Sequence, residues 1–186
     1  MKKYLISEFG EEEGCRIYSS ATALEKELAA QLPQNQSKTN KVISKKIVSL
    51  IAVYRVLQKD HPDKAFDTVY KYQVDVVGGS NNRKFLKLEK VPGFFGIFKW
   101  IYYRILGWTD LCGIEYGENK PDKFNFFVTR CIWVDVCALY GCPELTVCWC
   151  HSDTAGFKDM KTLEFIRSVT LAENGVPCDY CFRKCK

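Results

Sequence analysis

The residues able to do chemistry crowd between Cys131 and Phe182. Cys150 and Asp153 stand three apart in a stretch that reads as a helix, so a thiol and a carboxylate share one face. A neighbouring carboxylate raises a thiol's pKa, whereas a nucleophilic cysteine needs it lowered. Asp153 therefore suits a base or a holder of cations better than a stabiliser of thiolate. The plain reading of Cys150 is a buried helix residue, since reduced cysteine packs as a small apolar side chain. His151 follows Cys150 directly but points about 100° away around the helix.

Arg167 is the second focus. Leu163, Phe165, Val169 and Leu171 alternate with Thr162, Glu164, Ser168 and Thr170, and Asn174-Gly175 reads as a two-residue hairpin turn. With those two as the loop, Leu171 pairs with Cys178, Val169 with Tyr180 and Arg167 with Phe182. Thr170 then faces Asp179, and Ser168 faces Cys181, on the other side. Arg167 falls on the apolar face, where a guanidinium needs a carboxylate. The candidates are a ligand, or an internal partner among Asp153, Asp135 and Glu144. Asp179 has a structural role open to it as well, a bond to Thr170 across the hairpin.

Cys178-x-x-Cys181 with Cys185, and Cys148-x-Cys150-His151, have the composition of metal ligands. Strand alternation sends Cys178 and Cys181 to opposite faces, and no second Cys-x-x-Cys completes a zinc knuckle. No metal or other cofactor is expected. Phosphate loops, serine elbows and dinucleotide fingerprints do not occur.

These residues need elements to hold them. Helices are predicted over 14–32, 41–59, 63–77 and 92–106, the third stopped by Gly78-Gly79 and the fourth apolar on nearly every side. Residues 81–90 fit no single reading. Past Gly107, the glycines at 113 and 117 and Pro121 mark irregular chain. Phe124, Phe126 and Val128 mark a strand. Short helices over 131–140 and 143–153 precede the hairpin. The lysines at 41, 45 and 46 read as a solvated face. His61, beside Pro62, reads as a surface loop residue.

Composition narrows the classes. A chain of 186 residues with 47% hydrophobic side chains can build a real core and is not a disordered protein. A net charge of +5 over 27 basic and 22 acidic residues is too dispersed to argue for nucleic acid. The longest apolar run, 91–108, is broken by Lys99 and Arg104, so stable membrane insertion is not expected. Met1-Lys-Lys leads into a cluster of glutamates rather than a signal peptide, and the ten cysteines fit a reducing compartment, so the expected location is the cytoplasm.

The segment Cys131…Gly141-x-Pro143-Glu144-Leu145…Cys150-x-x-Asp153…Phe165-x-Arg167-x-x-Thr170-Leu171…Gly175-x-x-Cys178-Asp179 resembles the C-terminal signature of the L-2-amino-thiazoline-4-carboxylic acid hydrolase family. The resemblance covers about residues 120–183, with Tyr180 standing where many relatives carry phenylalanine. It implies a cofactor-independent hydrolase that opens a carboxylated cyclic amidine-like ring, in the family a thiazoline giving N-carbamoyl-L-cysteine. Under it, Cys150, Asp153 and Asp179 are the expected catalytic residues. Either an aspartate activates water or the Cys150 thiolate attacks the ring. Arg167, Cys131, Glu144, Thr170 and Cys178 are the expected substrate contacts, with Arg167 on the carboxylate. The hairpin is also similar to small-molecule-binding domains related to the four-vinyl reductases, so a non-catalytic sensor is the alternative. The expected architecture is one α+β domain over 1–186, with a helical part (1–110) packed on a small antiparallel sheet with a C-terminal β-hairpin (120–183). Its helix over 92–106 offers a face for a homodimer.

Overall fold

In the computed structural model, which describes residues 1–185, helices come first and a small antiparallel sheet second, an α+β arrangement. Helix α1 (Lys2–Phe9) turns at Gly10 into α2 (Glu11–Ala30), whose first turn carries Glu11, Glu12 and Glu13, where the helix dipole favours carboxylates. The Ser37 hydroxyl accepts the Asn40 amide and starts α3 (Lys38–Asp60). Pro62 opens α4 (Pro62–Lys71), where its missing N–H costs nothing.

The stop expected at Gly78-Gly79 does not occur. From α4 the chain runs through a π-helix, Tyr72–Gly78, straight into α5 (Gly79–Leu88). Gly78 serves close packing instead of termination. A Cβ there would lie 2.9 Å from the Ser152 carbonyl oxygen and 3.0 Å from Ala155 Cβ. The bare backbone lets the wide turn rest directly on the helix that carries Cys150 and Asp153.

Helix α6 (Phe94–Trp108) buries Phe94, Phe95 and Phe98 and leaves its opposite face open. It lies at the edge of the core rather than at its centre. Strand β1 (Cys112–Lys120) occupies the stretch read as irregular chain, with register shifts after Gly113 and Tyr116. Strand β2 (Lys123–Cys131), helix α7 (Ile132–Leu139), a 3-10 turn (Pro143–Leu145) and α8 (Thr146–Gly156) follow close to expectation. Strand β3 (Leu163–Ile166), the short helix α9 (Leu171–Asn174) and β4 (Cys178–Lys184) complete the chain. The strand order is β1-β2-β4-β3, antiparallel throughout.

The hairpin register differs from the expected one by two residues. Phe165, not Arg167, pairs with Phe182, and Ile166 pairs with Cys181. The cause is α9. The Thr170 hydroxyl accepts the Glu173 amide and donates to the Glu173 carboxylate, a reciprocal cap that winds the next residues into a turn of helix. Asn174-Gly175 therefore ends a helix, with Gly175 at φ +69°, instead of forming a two-residue loop. A slip of two preserves side-chain parity. Leu163, Phe165, Cys178, Tyr180 and Phe182 all still belong to the inner, core-facing side.

Two apolar cores result. One gathers α1 to α4 with α7 and α8 around Ile17, Ile47, Ile51, Leu57 and Leu145. The other is aromatic and lies between the sheet and α6. Phe124 stacks on Phe182 at 4.9 Å, and Phe98 meets Phe182 edge-on at 5.2 Å. Phe124, Phe126 and Phe182 are essentially inaccessible, each contributing roughly 1.5–3 kcal/mol by burial. Among the described residues, no helix is long and apolar enough to cross a membrane.

Candidate active site

A cavity of about 320 Å³ opens where the two cores meet. Ile43 and Lys46 reach it from α3, Gln73 and Val77 from the π-helix, and Asn81 from α5. Cys112, Val128, Cys131 and Trp133 come from β1, β2 and the start of α7. Cys150 and Asp153 come from α8, and Cys178 and Tyr180 from β4. Four thiols, one carboxylate and one phenol thus share a single space, with an amine and two amides elsewhere on its wall. A second cavity of about 210 Å³, mostly apolar, lies against α6 and shares Cys112, Asp153 and Tyr180 with the first.

Asp153 is packed round by protein, yet 47% of its side-chain surface is reachable by solvent because it faces the cavity. Its Oδ2 accepts a hydrogen bond of 2.7 Å from the Tyr180 hydroxyl, and Arg167 Nη1 stands 3.5 Å away. Burial pushes the carboxyl's pKa up, and the Tyr180 hydrogen bond and the Arg167 charge pull it back only in part.

Arg167 does not line this cavity. Its side chain is only 4% exposed. Nη2 donates to the Cys150 carbonyl at 2.6 Å, and Nη1 donates to the Tyr180 hydroxyl at 3.0 Å. The guanidinium also lies over the Phe165 and Tyr180 rings, at 5.6 and 5.2 Å. Of the two partners weighed for it, the internal one is present. The charge braces Asp153 and the backbone of α8 from behind, leaving no free fork toward the cavity.

The thiols differ sharply. Burial pushes the Cys150 thiol to about 12, and Asp153 adds to that effect while Arg167 opposes it. Cys178 is also raised by burial, although its sulfur accepts the Leu171 amide at 3.2 Å. Cys131 goes the other way, its pKa lowered. It pairs across the β1–β2 ladder with Cys112, whose thiol is its main hydrogen-bond donor. Burial and Asp153 work against the thiolate, while the Val134 and Trp133 amides favour it. Cys131 precedes the first turn of α7, and although its sulfur forms no regular capping bond, those two amides face it. Helix N-termini stabilise thiolates in this manner. The hydrogen bond to Cys131 and burial push the Cys112 thiol up.

Asp179, Glu144 and Thr170 lie apart from the cavity. Asp179 accepts the Ser168 and Val169 amides, both at 2.8 Å, and the Ser168 hydroxyl at 2.5 Å. Burial alone would raise this carboxyl, but those donors outweigh it and hold it below the usual range. The Tyr54 hydroxyl donates to Glu144 at 2.9 Å, at the start of the 3-10 turn. Thr170 is the cap of α9. His151 bonds Tyr70 and Glu173 on the far side of α8 from Cys150. His61 is only half-buried and bonds Glu13. Among the described residues, no group of three or more histidines, cysteines or acids is arranged to hold a metal.

Tyr180, Cys112 and Lys46 line the cavity although sequence reasoning did not single them out. Strand parity already set Tyr180 on the inner face, so its hydroxyl was detectable as a buried donor. Cys112 and Lys46 had no such signal, the one in an unrecognised strand and the other in a lysine run.

A cavity lined by thiols and a carboxylate is thus held in an α+β frame. The chain belongs to the L-2-amino-thiazoline-4-carboxylic acid hydrolase family, whose model matches residues 40–182. No curated protein and no solved structure matches it.

Proposed function

We propose that the protein hydrolyses a small carboxylated cyclic amidine of the thiazoline type, with Cys131 as nucleophile and Asp153 as proton carrier. The observation supporting this most directly is that Cys131, ahead of the first turn of α7, and Asp153 line the same cavity, the thiol's pKa being lowered and the carboxyl's raised. Groups shifted toward neutrality from both sides are what proton transfer at ordinary pH requires.

In this reading the Cys131 thiolate adds to the ring carbon between sulfur and nitrogen. The carbon–sulfur bond of the ring then breaks, and the departing sulfur takes a proton from Asp153. A water, giving its proton back to Asp153, attacks the enzyme-bound carbon and expels Cys131 as thiolate. The product is a carbamoyl amine bearing a free thiol, and one water is consumed. Lys46, with Gln73 and Asn81 beside it on the cavity wall, receives the substrate carboxylate. Arg167 and Tyr180 act through Asp153, fixing its position. Cys150 and Cys178 remain neutral thiols that shape the wall.

The test is release of free thiol from 2-amino-thiazoline-4-carboxylate. Cys131→Ser should abolish turnover, Cys150→Ser should retain most of it, and Lys46→Ala should raise KM more than it lowers kcat. Alkylation of Cys131 should set in at lower pH than alkylation of Cys150. Full activity in Cys131→Ser would remove the nucleophile assignment. Saturable binding with no thiol released would favour the sensor alternative.

A further inference from the structure

Residues 83–108 hold Arg83, Lys84, Lys87, Lys90, Lys99 and Arg104 against a single acid, Glu89, a local charge of +5 that equals the excess of the whole chain. Glu89 is turned inward, where it accepts the Lys161 and Thr162 amides and the Thr162 hydroxyl. The same stretch carries a concentration of exposed apolar side chains. On α6, Ile97, Trp100, Ile101, Ile105 and Trp108 recur at helical spacing on the face away from the core. Trp100 is 62% and Trp108 77% exposed. The Arg104 guanidinium lies over both indoles, at 5.0 and 4.6 Å. Leu88 and Val91 are exposed just before the helix.

A helix of this kind is too short to cross a bilayer, at about 22 Å for its 15 residues. Its composition suits a position in the plane of the interface, where indoles take the headgroup level and lysines meet lipid phosphate. The occupant follows from charge. A second copy docking through the same face would bring two such basic stretches together, whereas an anionic bilayer complements both the apolar stripe and the cations. We propose that the α6 face, with the basic residues leading into it, docks peripherally on an anionic phospholipid surface. Ile105 belongs both to this face and to the wall of the second cavity, so docking brings the bilayer next to that apolar space. The proposal is independent of the reaction assigned to the thiol site.

The experiment is co-sedimentation of the full chain with vesicles of phosphatidylglycerol and phosphatidylcholine in equal parts, and with phosphatidylcholine alone. Binding is expected to the mixed vesicles only, and to fall as salt shortens the Debye length from about 10 Å to about 3 Å. A cation near such a surface is worth about fivefold in affinity, so Lys87→Glu with Lys90→Glu should weaken binding by about 25-fold or more. Trp100→Ala with Trp108→Ala should weaken it at least about tenfold at unchanged Tm, because neither indole supports the core. Brominated lipid should quench the tryptophan fluorescence of the unaltered protein, a readout that does not depend on any variant folding. Equal binding to neutral vesicles, no binding at all, or a salt-resistant dimer that protects both indoles in the absence of lipid would each overturn the proposal.

Discussion

Four sulfurs face one cavity, and their chemistry is set by what each touches. Cys150 has a carboxylate and apolar walls, and its proton stays on. Cys131 has the Cys112 thiol across the ladder and the amides of Val134 and Trp133, which lower its pKa. The Cys150–Asp153 spacing on one helix face was readable in advance, and both residues do line the cavity. The advantage of Cys131 was not, because it depends on a partner 19 positions earlier in an unrecognised strand. Arg167 was readable as an inward cation from alternation alone, but the identity of its acceptors needed the backbone of α8. Tyr180 offers the sharpest test at this scale. Its hydrogen bond lowers the Asp153 pKa, so Tyr180→Phe should let that pKa climb further. The acidic limb of the rate profile should then move to higher pH, with thermal stability reduced by only about 1 kcal/mol. A profile that moves downward or stays fixed would show that Asp153 does not carry the proton.

Among the elements, α8 is the one that everything else positions. The π-helix presses on it through Gly78, Arg167 holds its Cys150 carbonyl, and Tyr70 and Glu173 hold His151 on its outer side. Gly78→Ala forces a methyl to within 2.9 Å of the Ser152 carbonyl oxygen, so α8 or the π-helix must shift. The expected cost is about 1–3 kcal/mol, read by chemical denaturation, with a loss of turnover larger than the loss of folded protein at assay temperature. Most helices were legible because their apolar stripes follow the helical period over many residues. Four elements were not, α1 and α5 among them. Strand β1 has bulges and an exposed face that hide the period-two signal, and α9 is a single turn whose cap was read as part of a strand. The Gly78-Gly79 pair was misleading because glycine marks close approach as well as termination.

For the whole molecule, the order of helices before strands was enough to anticipate the α+β arrangement. The position of the cavity was not readable, since it is made of contacts between residues far apart in the chain, Lys46 and Cys178 among them. Because that cavity touches both cores, a ligand bound there should stabilise them together. At a ligand concentration of a hundred times Kd the gain is about 2.7 kcal/mol, or roughly 5–10 °C in Tm for a chain of this size. A single calorimetric transition that moves by this amount is expected with the thiazoline acid. If two transitions separate and only one of them moves, the two cores do not unfold as a unit.

The π-helix between α4 and α5 has a geometric effect that reaches beyond its own turns. Each backbone bond in it spans one residue more than in an α-helix, so it alters the angular phase with which α5 leaves α4. Gln73, Val77 and Asn81, spaced four apart along this segment and the start of α5, all reach the cavity wall. Loss of one residue from Tyr72–Gly78 would tighten the wide turn that rests on α8 through Gly78 and shift Asn81 along the wall. Insertions and deletions in this stretch therefore act on the lining of the cavity more strongly than most point substitutions could.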